Sequence, residues 1–186
     1  MKIRIQRVGP QELQHFLDFF GGAAFEDNPE WSSCYCQFYF SDPKLKDWEK
    51  TSGEENRSLA IKQIQTNQNS GHLAYLDGKA IAWCNMAAKK DCPRLDAENS
   101  NLKIASIFCF LVAKEFRNQG IARQLLQAAC EYLMNEKFEI IEAYPNTQAV
   151  RIFDKYHGSL KMYEEAGFTV FKEKPEGRLI VRKKLT

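Results

Sequence analysis

The segment that most limits what this chain can fold into is IASIFCFLVAKEFRNQGIARQLLQAACEYL, residues 104–133. Ile104, Ile107, Phe108, Phe110, Leu111 and Val112 form an apolar run too continuous for a half-exposed strand. The run predicts a central strand covered on both faces. After a short polar turn, Ile121, Leu125, Ala128, Ala129, Tyr132 and Leu133 recur at three- and four-residue spacing, the apolar face of an amphipathic helix. Between the two stands Arg117-Asn118-Gln119-Gly120-Ile121-Ala122. The helix thus opens on a small residue, where first-turn N–H groups have no partner inside the helix. Such a start favours an anion, because free donors and the positive dipole end point outward and glycine lets a ligand approach. Lys114, Arg117 and Arg123 add cationic side chains nearby. No Lys-Ser/Thr pair closes a P-loop, and no second glycine stands at the dinucleotide-binding spacing.

A chain of 186 residues fits one domain over 1–186, with a core that needs no staples. The 26 basic and 24 acidic residues leave a net charge of +2, which gives no argument for a nucleic-acid or membrane-surface partner. The opening MKIRIQRVGPQEL lacks the apolar core of a signal peptide, and the run 104–113 is too short to span a bilayer. A soluble, cytoplasmic protein is the expectation. Cysteines 34, 36, 84, 92, 109 and 130 then read as reduced thiols rather than a disulfide framework. His15, His72 and His157 are isolated, and the Cys34-Tyr35-Cys36 pair has no second ligand pair, so no metal is expected.

Along the chain, residues 2–8 read as a first strand, broken by Gly9-Pro10. A helix with Leu13, Phe16, Leu17 and Phe20 on its apolar face follows and ends at Gly21-Gly22. Residues 23–50 carry Trp31, Tyr35, Phe38, Tyr39, Phe40 and Trp48. They read either as strand-like packing on the domain or as an aromatic wall over a cleft, with Trp31 and Tyr35 facing an acceptor. Thr51-x-x-Glu54 and Ser52-x-x-Glu55 are capping boxes for a helix through Ile64. Asp77-Gly78 joins HLAYL (72–76) to KAIAWCNMA (79–87) as a hairpin. Residues 138–144 predict a strand and 147–157 a helix. Ser159 caps a short helix that ends at Gly167, and strands around Phe168–Phe171 and Leu179–Val181 close the sheet antiparallel.

Two of these segments together resemble a known family. Arg117-x-x-Gly120-x-Ala122, with a hydrophobic strand ending in Val112 before it and Arg123-x-Leu125-Leu126 after it, is similar to the coenzyme-A signature of the GNAT superfamily of N-acetyltransferases. Downstream, Met162-Tyr163-Glu164-Glu165-Ala166-Gly167-Phe168 resembles the family's C-terminal segment, in which a tyrosine stands four residues before Gly-Phe. The resemblance covers about residues 72–184. It departs at Asn146, whose spacing to Tyr163 is stretched by roughly a helix's worth of residues, which leaves Asn146 in doubt as a coenzyme contact.

The resemblance implies an α/β, single-domain GNAT-like fold: a mixed, mostly antiparallel twisted sheet with helices on both faces. It implies acetyl-CoA as co-substrate, with the pantetheine arm along Phe110, Leu111 and Val112. The pyrophosphate would rest on Gln119, Gly120, Ile121 and Ala122, flanked by Arg117, Asn118 and Arg123. It further implies transfer of an acetyl group to a primary amine by direct attack in a ternary complex. Tyr163 would protonate the departing thiolate, and Glu142 would act as general base, directly or through a water. The residues alone also allow Tyr163 to be a core side chain beside Leu160 and Ala166, and Glu142 a solvated strand residue. The acceptor is not identified, and the assembly state stays open, a homodimer included. Two other readings stand beside this one: a catalytically idle CoA-binding regulatory module of the same fold, and a protein-interaction domain with no coenzyme.

Overall fold

The computed structural model describes residues 2–44, 47–68, 71–98, 100–148 and 156–185. Its strands are β1 (Arg4–Arg7), β2 (His72–Leu76), β3 (Lys79–Ala88), β4 (Ile104–Val112), β5 (Ile140–Ala143), β6 (Thr169–Glu173) and β7 (Leu179–Lys184). They form one sheet in the order β1-β2-β3-β4-β5-β7-β6, antiparallel throughout except for the parallel pair β4–β5. The β2–β3 turn is the expected one. Asp77 (φ 48°) and Gly78 (φ 82°) are both left-handed, as a two-residue type I′ hairpin requires.

Helices cover both faces of the sheet. On one face lie α1 (Leu13–Phe20) and α2 (Gly53–Gln65), the latter opened by a Ser52–Glu55 capping box. Phe16, Phe20, Ala60 and Ile64 from these helices pack with Leu73, Tyr75, Trp83 and Leu111 of the sheet. On the opposite face, α3 (Ile121–Asn135) and α4 (Leu160–Glu165) place Leu125, Ala129, Leu133, Met162 and Tyr163 against Ala82, Ile107, Phe110, Ile141 and Val181. β4 is therefore buried on both sides, the outcome its continuous apolar run predicts.

Residues 23–50 differ from the strand-like expectation. Within them, the described residues form 3-10 turns at Pro29–Cys34, Phe38–Phe40 and Trp48–Lys50 and no strand. Pro29 starts the first turn, and left-handed Tyr35 (φ 44°) and Cys36 (φ 55°) interrupt any extended alternation. The helix expected over 147–157 falls largely on residues 149–155, which lie outside the described residues.

One irregularity places the site. β3 follows β4 as far as Val112, but β5 pairs only with Ile104–Ile107. The register runs Asn85↔Cys109 and then Met86↔Ile107, so Phe108 is an extra residue, a bulge in β4. Beyond it, no strand among the described residues lies beside one edge of the central strand.

Candidate active site

The open edge of β4 can be read residue by residue. The Ala113 N–H bonds the Ile81 carbonyl at 2.9 Å, in line with the register that pairs Leu111 with Trp83 and Cys109 with Asn85. In an antiparallel ladder, alternate residues bond the same neighbour. Leu111 and Cys109 therefore commit their main chain to β3, whereas Phe110 and Val112 turn theirs toward the open side. The Val112 carbonyl there accepts the Arg117 Nε–H at 3.0 Å. No backbone group among the described residues bonds Phe110 on that side.

The chain then makes a 3-10 turn, Lys114–Phe116, and reaches α3 through left-handed Asn118 (φ 61°) and Gly120 (φ 78°). A Cβ at Gly120 would meet nothing within 4 Å, so the glycine is there for its backbone conformation and for the open space above it. Gln124 is the first residue whose N–H closes back into the helix, on the Gly120 carbonyl at 3.2 Å. No side chain caps this end. The first-turn N–H groups thus point out beside the open edge of β4, a geometry that fits an anionic group followed by an extended arm. A groove of about 740 Å³ continues from Gly120 and Arg123 past Met162, Glu165 and Lys183, between α3, α4 and β7.

The two arginines of this turn have partners within the chain. Arg117 clamps Asp27 with both terminal nitrogens, at 2.5 and 2.8 Å, and holds the Asp27 carboxyl down at about 2, below its ordinary value. Arg123 pairs with Glu165 of α4. The first therefore ties the turn to the loop after α1, and the second ties α3 to α4.

Beside the open edge sits Tyr163, fully buried against Phe110 and Phe168. Its hydroxyl donates to the His157 carbonyl at 2.9 Å, and His157 Nδ1 lies 2.6 Å from the Phe108 carbonyl. Burial pushes the Tyr163 phenol well above its ordinary pKa. On the other face of the sheet, Tyr39 stacks on Phe108 at 4.6 Å, and Tyr144 lies parallel to Phe108 at 6.4 Å. The aromatic wall thus comes from Tyr39 and Tyr144. Tyr35 stacks on Phe20 at 5.6 Å, and both Tyr35 and Trp31 join the core under α1.

Glu142 has a geometry that the sequence did not suggest. Its side chain is 1% exposed, neither solvated nor open to the cleft. Oε1 accepts Lys89 Nζ and the Tyr144 hydroxyl, each at 2.9 Å, and Oε2 accepts Arg182 Nε at 2.8 Å. Glu98 bridges the same two cations, Lys89 and Arg182, and Ser106 Oγ lies 2.7 Å from the Tyr144 hydroxyl. Both carboxylate oxygens are occupied by this network.

Comparison with known proteins identifies the fold family. The sequence profile of the acetyltransferase (GNAT) family matches residues 30–168. The chain belongs to that family. No curated protein matches it in sequence. In structure it is similar to an acetyltransferase of the GNAT family from Streptococcus pneumoniae, at 17% identity over 100% of both chains with a TM-score of 0.60. It is also similar to PaiA N-acetyltransferase from Thermoplasma acidophilum in complex with coenzyme A, at 19% identity over 99% of both chains with a TM-score of 0.58. The ribosomal-protein-S18-alanine N-acetyltransferase of Escherichia coli matches at 14% identity over 100% of this chain and 95% of its own, with a TM-score of 0.55.

For this GNAT chain, the structure places Phe110 and Val112 on the open edge of β4, Gln119, Gly120, Ile121 and Ala122 at the start of α3, and the Tyr163 ring 6.4 Å from that of Phe110. It turns the Leu111 main chain away and commits the Arg117 and Arg123 side chains elsewhere. Asn146 forms an isolated bridge with Arg178, and its side-chain oxygen caps Gln148 N at 2.9 Å. Sequence reasoning missed His157, and nothing in its neighbourhood announced it beyond its place just before Gly158-Ser159. No helix among the described residues is long and apolar enough to cross a membrane, and no group of three or more His, Cys, Asp or Glu side chains gathers there as metal ligands would.

Proposed function

We propose that this GNAT chain is an acetyl-CoA-dependent N-acetyltransferase that transfers the acetyl group to a primary amine by direct attack in a ternary complex. The observation that carries the reading is two sets of main-chain donors with no backbone partner among the described residues: Phe110 and Val112 on the open edge of β4, and the first turn of α3. Gln119, Gly120, Ile121 and Ala122 would hold a pyrophosphate on their N–H groups, Asn118 would shape the turn through its left-handed backbone, and Phe110 and Val112 would pair with an amide-bearing pantetheine arm. The groove from Gly120 along α4 has room for the nucleotide end. Bound there, acetyl-CoA supplies a thioester already activated toward amines.

The chain's own groups then have three tasks. A main-chain N–H on the open edge steadies the charge that develops on the carbonyl oxygen, a dipole fixed before reaction begins. The wall of Tyr39, Phe108 and Tyr144 excludes water from the acceptor side. Tyr163 delivers a proton to the departing sulfur and is restored by the proton that the acylated nitrogen sheds, and its burial keeps the phenol protonated across the physiological range. Glu142 is assigned to the scaffold, because its charge is already matched by Lys89 and Arg182; a bound amine with a modest pKa needs no residue base.

The test is thiol release from acetyl-CoA across a panel of amines: polyamines, amino acids, an aminoglycoside and peptides with free N-termini or lysines. At least one amine should liberate CoA. Tyr163→Phe should lower kcat by about 10²–10⁴-fold while the affinity for CoA stays within about twofold. One observation favours a second reading, a CoA-binding module without turnover: the Tyr163 hydroxyl already donates to a carbonyl and Glu142 is enclosed. Under that reading CoA still raises Tm, but no amine releases thiol.

A further inference from the structure

Phe108 is the extra residue of the β4 bulge, with no register partner on β3, and it follows the last residue of β4 that pairs with β5. Its carbonyl is taken by a side chain from a distant segment, His157, at 2.6 Å. A carbonyl only accepts, so Nδ1 of this imidazole carries the hydrogen. The same residue's main-chain carbonyl accepts the Tyr163 hydroxyl at 2.9 Å. His157 therefore holds the central strand with its ring and the phenol with its backbone. Gly158 closes the contact: left-handed at φ 77°, it would place a Cβ 2.6 Å from Met162 Cε and 3.4 Å from the Tyr163 oxygen. The segment is pressed directly onto the phenol.

We infer that His157 is a positioning residue: its ring, bonded to the Phe108 carbonyl at the β4 bulge, fixes the main-chain carbonyl that aims the Tyr163 hydroxyl at the open edge of the strand. The inference rests on the acetyl-transfer reading. A hydroxyl has one hydrogen, which swings about the C–O bond between the His157 carbonyl and a sulfur placed alongside Phe110. How far it must swing depends on where that carbonyl stands, and the imidazole bond ties the residue that bears it to β4. Without the tie, the Phe108 carbonyl loses its bond and the 156–158 segment can carry the phenol's hydrogen away from the strand.

The experiment compares wild type, His157→Ala, His157→Asn, Tyr163→Phe and the His157→Ala/Tyr163→Phe double variant. It reads kcat by thiol release with an amine that supports turnover, the CoA affinity by calorimetry, and the imidazole N–H region of the proton NMR spectrum. His157→Ala should lower kcat roughly tenfold or more, with the CoA Kd within about twofold. His157→Asn, whose amide N–H stands near the place of Nδ1–H, should recover most of that loss. The double variant should be no slower than Tyr163→Phe, because His157 acts through that phenol. Wild type should show a far-downfield, slowly exchanging imidazole N–H resonance without any substrate, absent from His157→Ala. Multiplicative losses in the double variant, an Asn variant as slow as Ala, or a missing resonance in an active wild type would overturn the inference and leave acetyl transfer standing. A wild type that binds CoA but releases no thiol with any amine would overturn both.

Discussion

Replacing Glu142 separates a structural carboxylate from a catalytic one. Its side chain is 1% exposed, and the two cations that face it, Lys89 and Arg182, are 10% and 12% exposed. Deleting the carboxylate leaves two nearly buried charges short of a partner, with Glu98 the one carboxylate among the described residues that they share. Breaking a buried pair by removing one member costs about 3–5 kcal/mol, a large part of the roughly 5–15 kcal/mol that holds a domain together. For a chain of 186 residues, each kcal/mol moves Tm by about 2–4 °C, so Glu142→Ala should melt on the order of 10 °C below wild type. Glu142→Gln should lose nearly as much, since its amide still accepts from Tyr144 but turns N–H donors toward cations. Glu142→Met combined with Arg182→Met should recover part of the loss, because Lys89 keeps Glu98. Urea unfolding gives midpoint and slope together. A Glu142→Ala variant within about 0.5 kcal/mol of wild type, folded but unable to release thiol, would refute the scaffold assignment and make this carboxylate the base.

Two other perturbations test the frame around the open edge. Gly120→Val forces a β-branched residue into φ 78° at the mouth of the anion site; calorimetry should show CoA binding weakened at least about tenfold, with only about 1–2 kcal/mol lost from the urea midpoint. The Asp27–Arg117 clamp gives a pH signature. Asp27 titrates near 2 in the fold, depressed by Arg117, so its contribution is full above the unfolded value of about 3.9 and disappears as pH falls through about 2. The stability difference between wild type and Asp27→Asn, under about 1 kcal/mol for so exposed a pair, should therefore be present at pH 5 and gone near pH 2.

The elements with strong local signals were legible in the sequence. The β4–α3 unit, the Asp77-Gly78 hairpin, the Ser52 capping box and the Ser159 cap before a helix ending at Gly167 each follow from short-range rules, and each is found. The open main-chain start of α3 was legible for the same reason, since uncapped N–H groups at a helix start need no tertiary information. Side-chain roles were not. Whether Arg117 faces a ligand or Asp27, ninety positions earlier in the chain, depends on the loop after α1. Glu142 looks like any charged strand residue until Lys89 and Arg182 converge on it. The bulge at Phe108, which decides which main-chain groups face the open side, leaves no trace in a run of apolar residues. The 29–40 segment misled because aromatic spacing says nothing of the left-handed turn at Tyr35 and Cys36.

The central claim is that the open edge of β4 and the first turn of α3 together form a coenzyme-binding surface built from main-chain N–H groups. Titrating CoA into ¹⁵N-labelled protein and following each amide tests it most directly. Saturable shifts should be largest at Phe110 and at Gln119, Gly120, Ile121 and Ala122, and inorganic pyrophosphate should reproduce those of the helix turn alone. Saturable binding that leaves these five amides unmoved, or no binding at all, would contradict the claim.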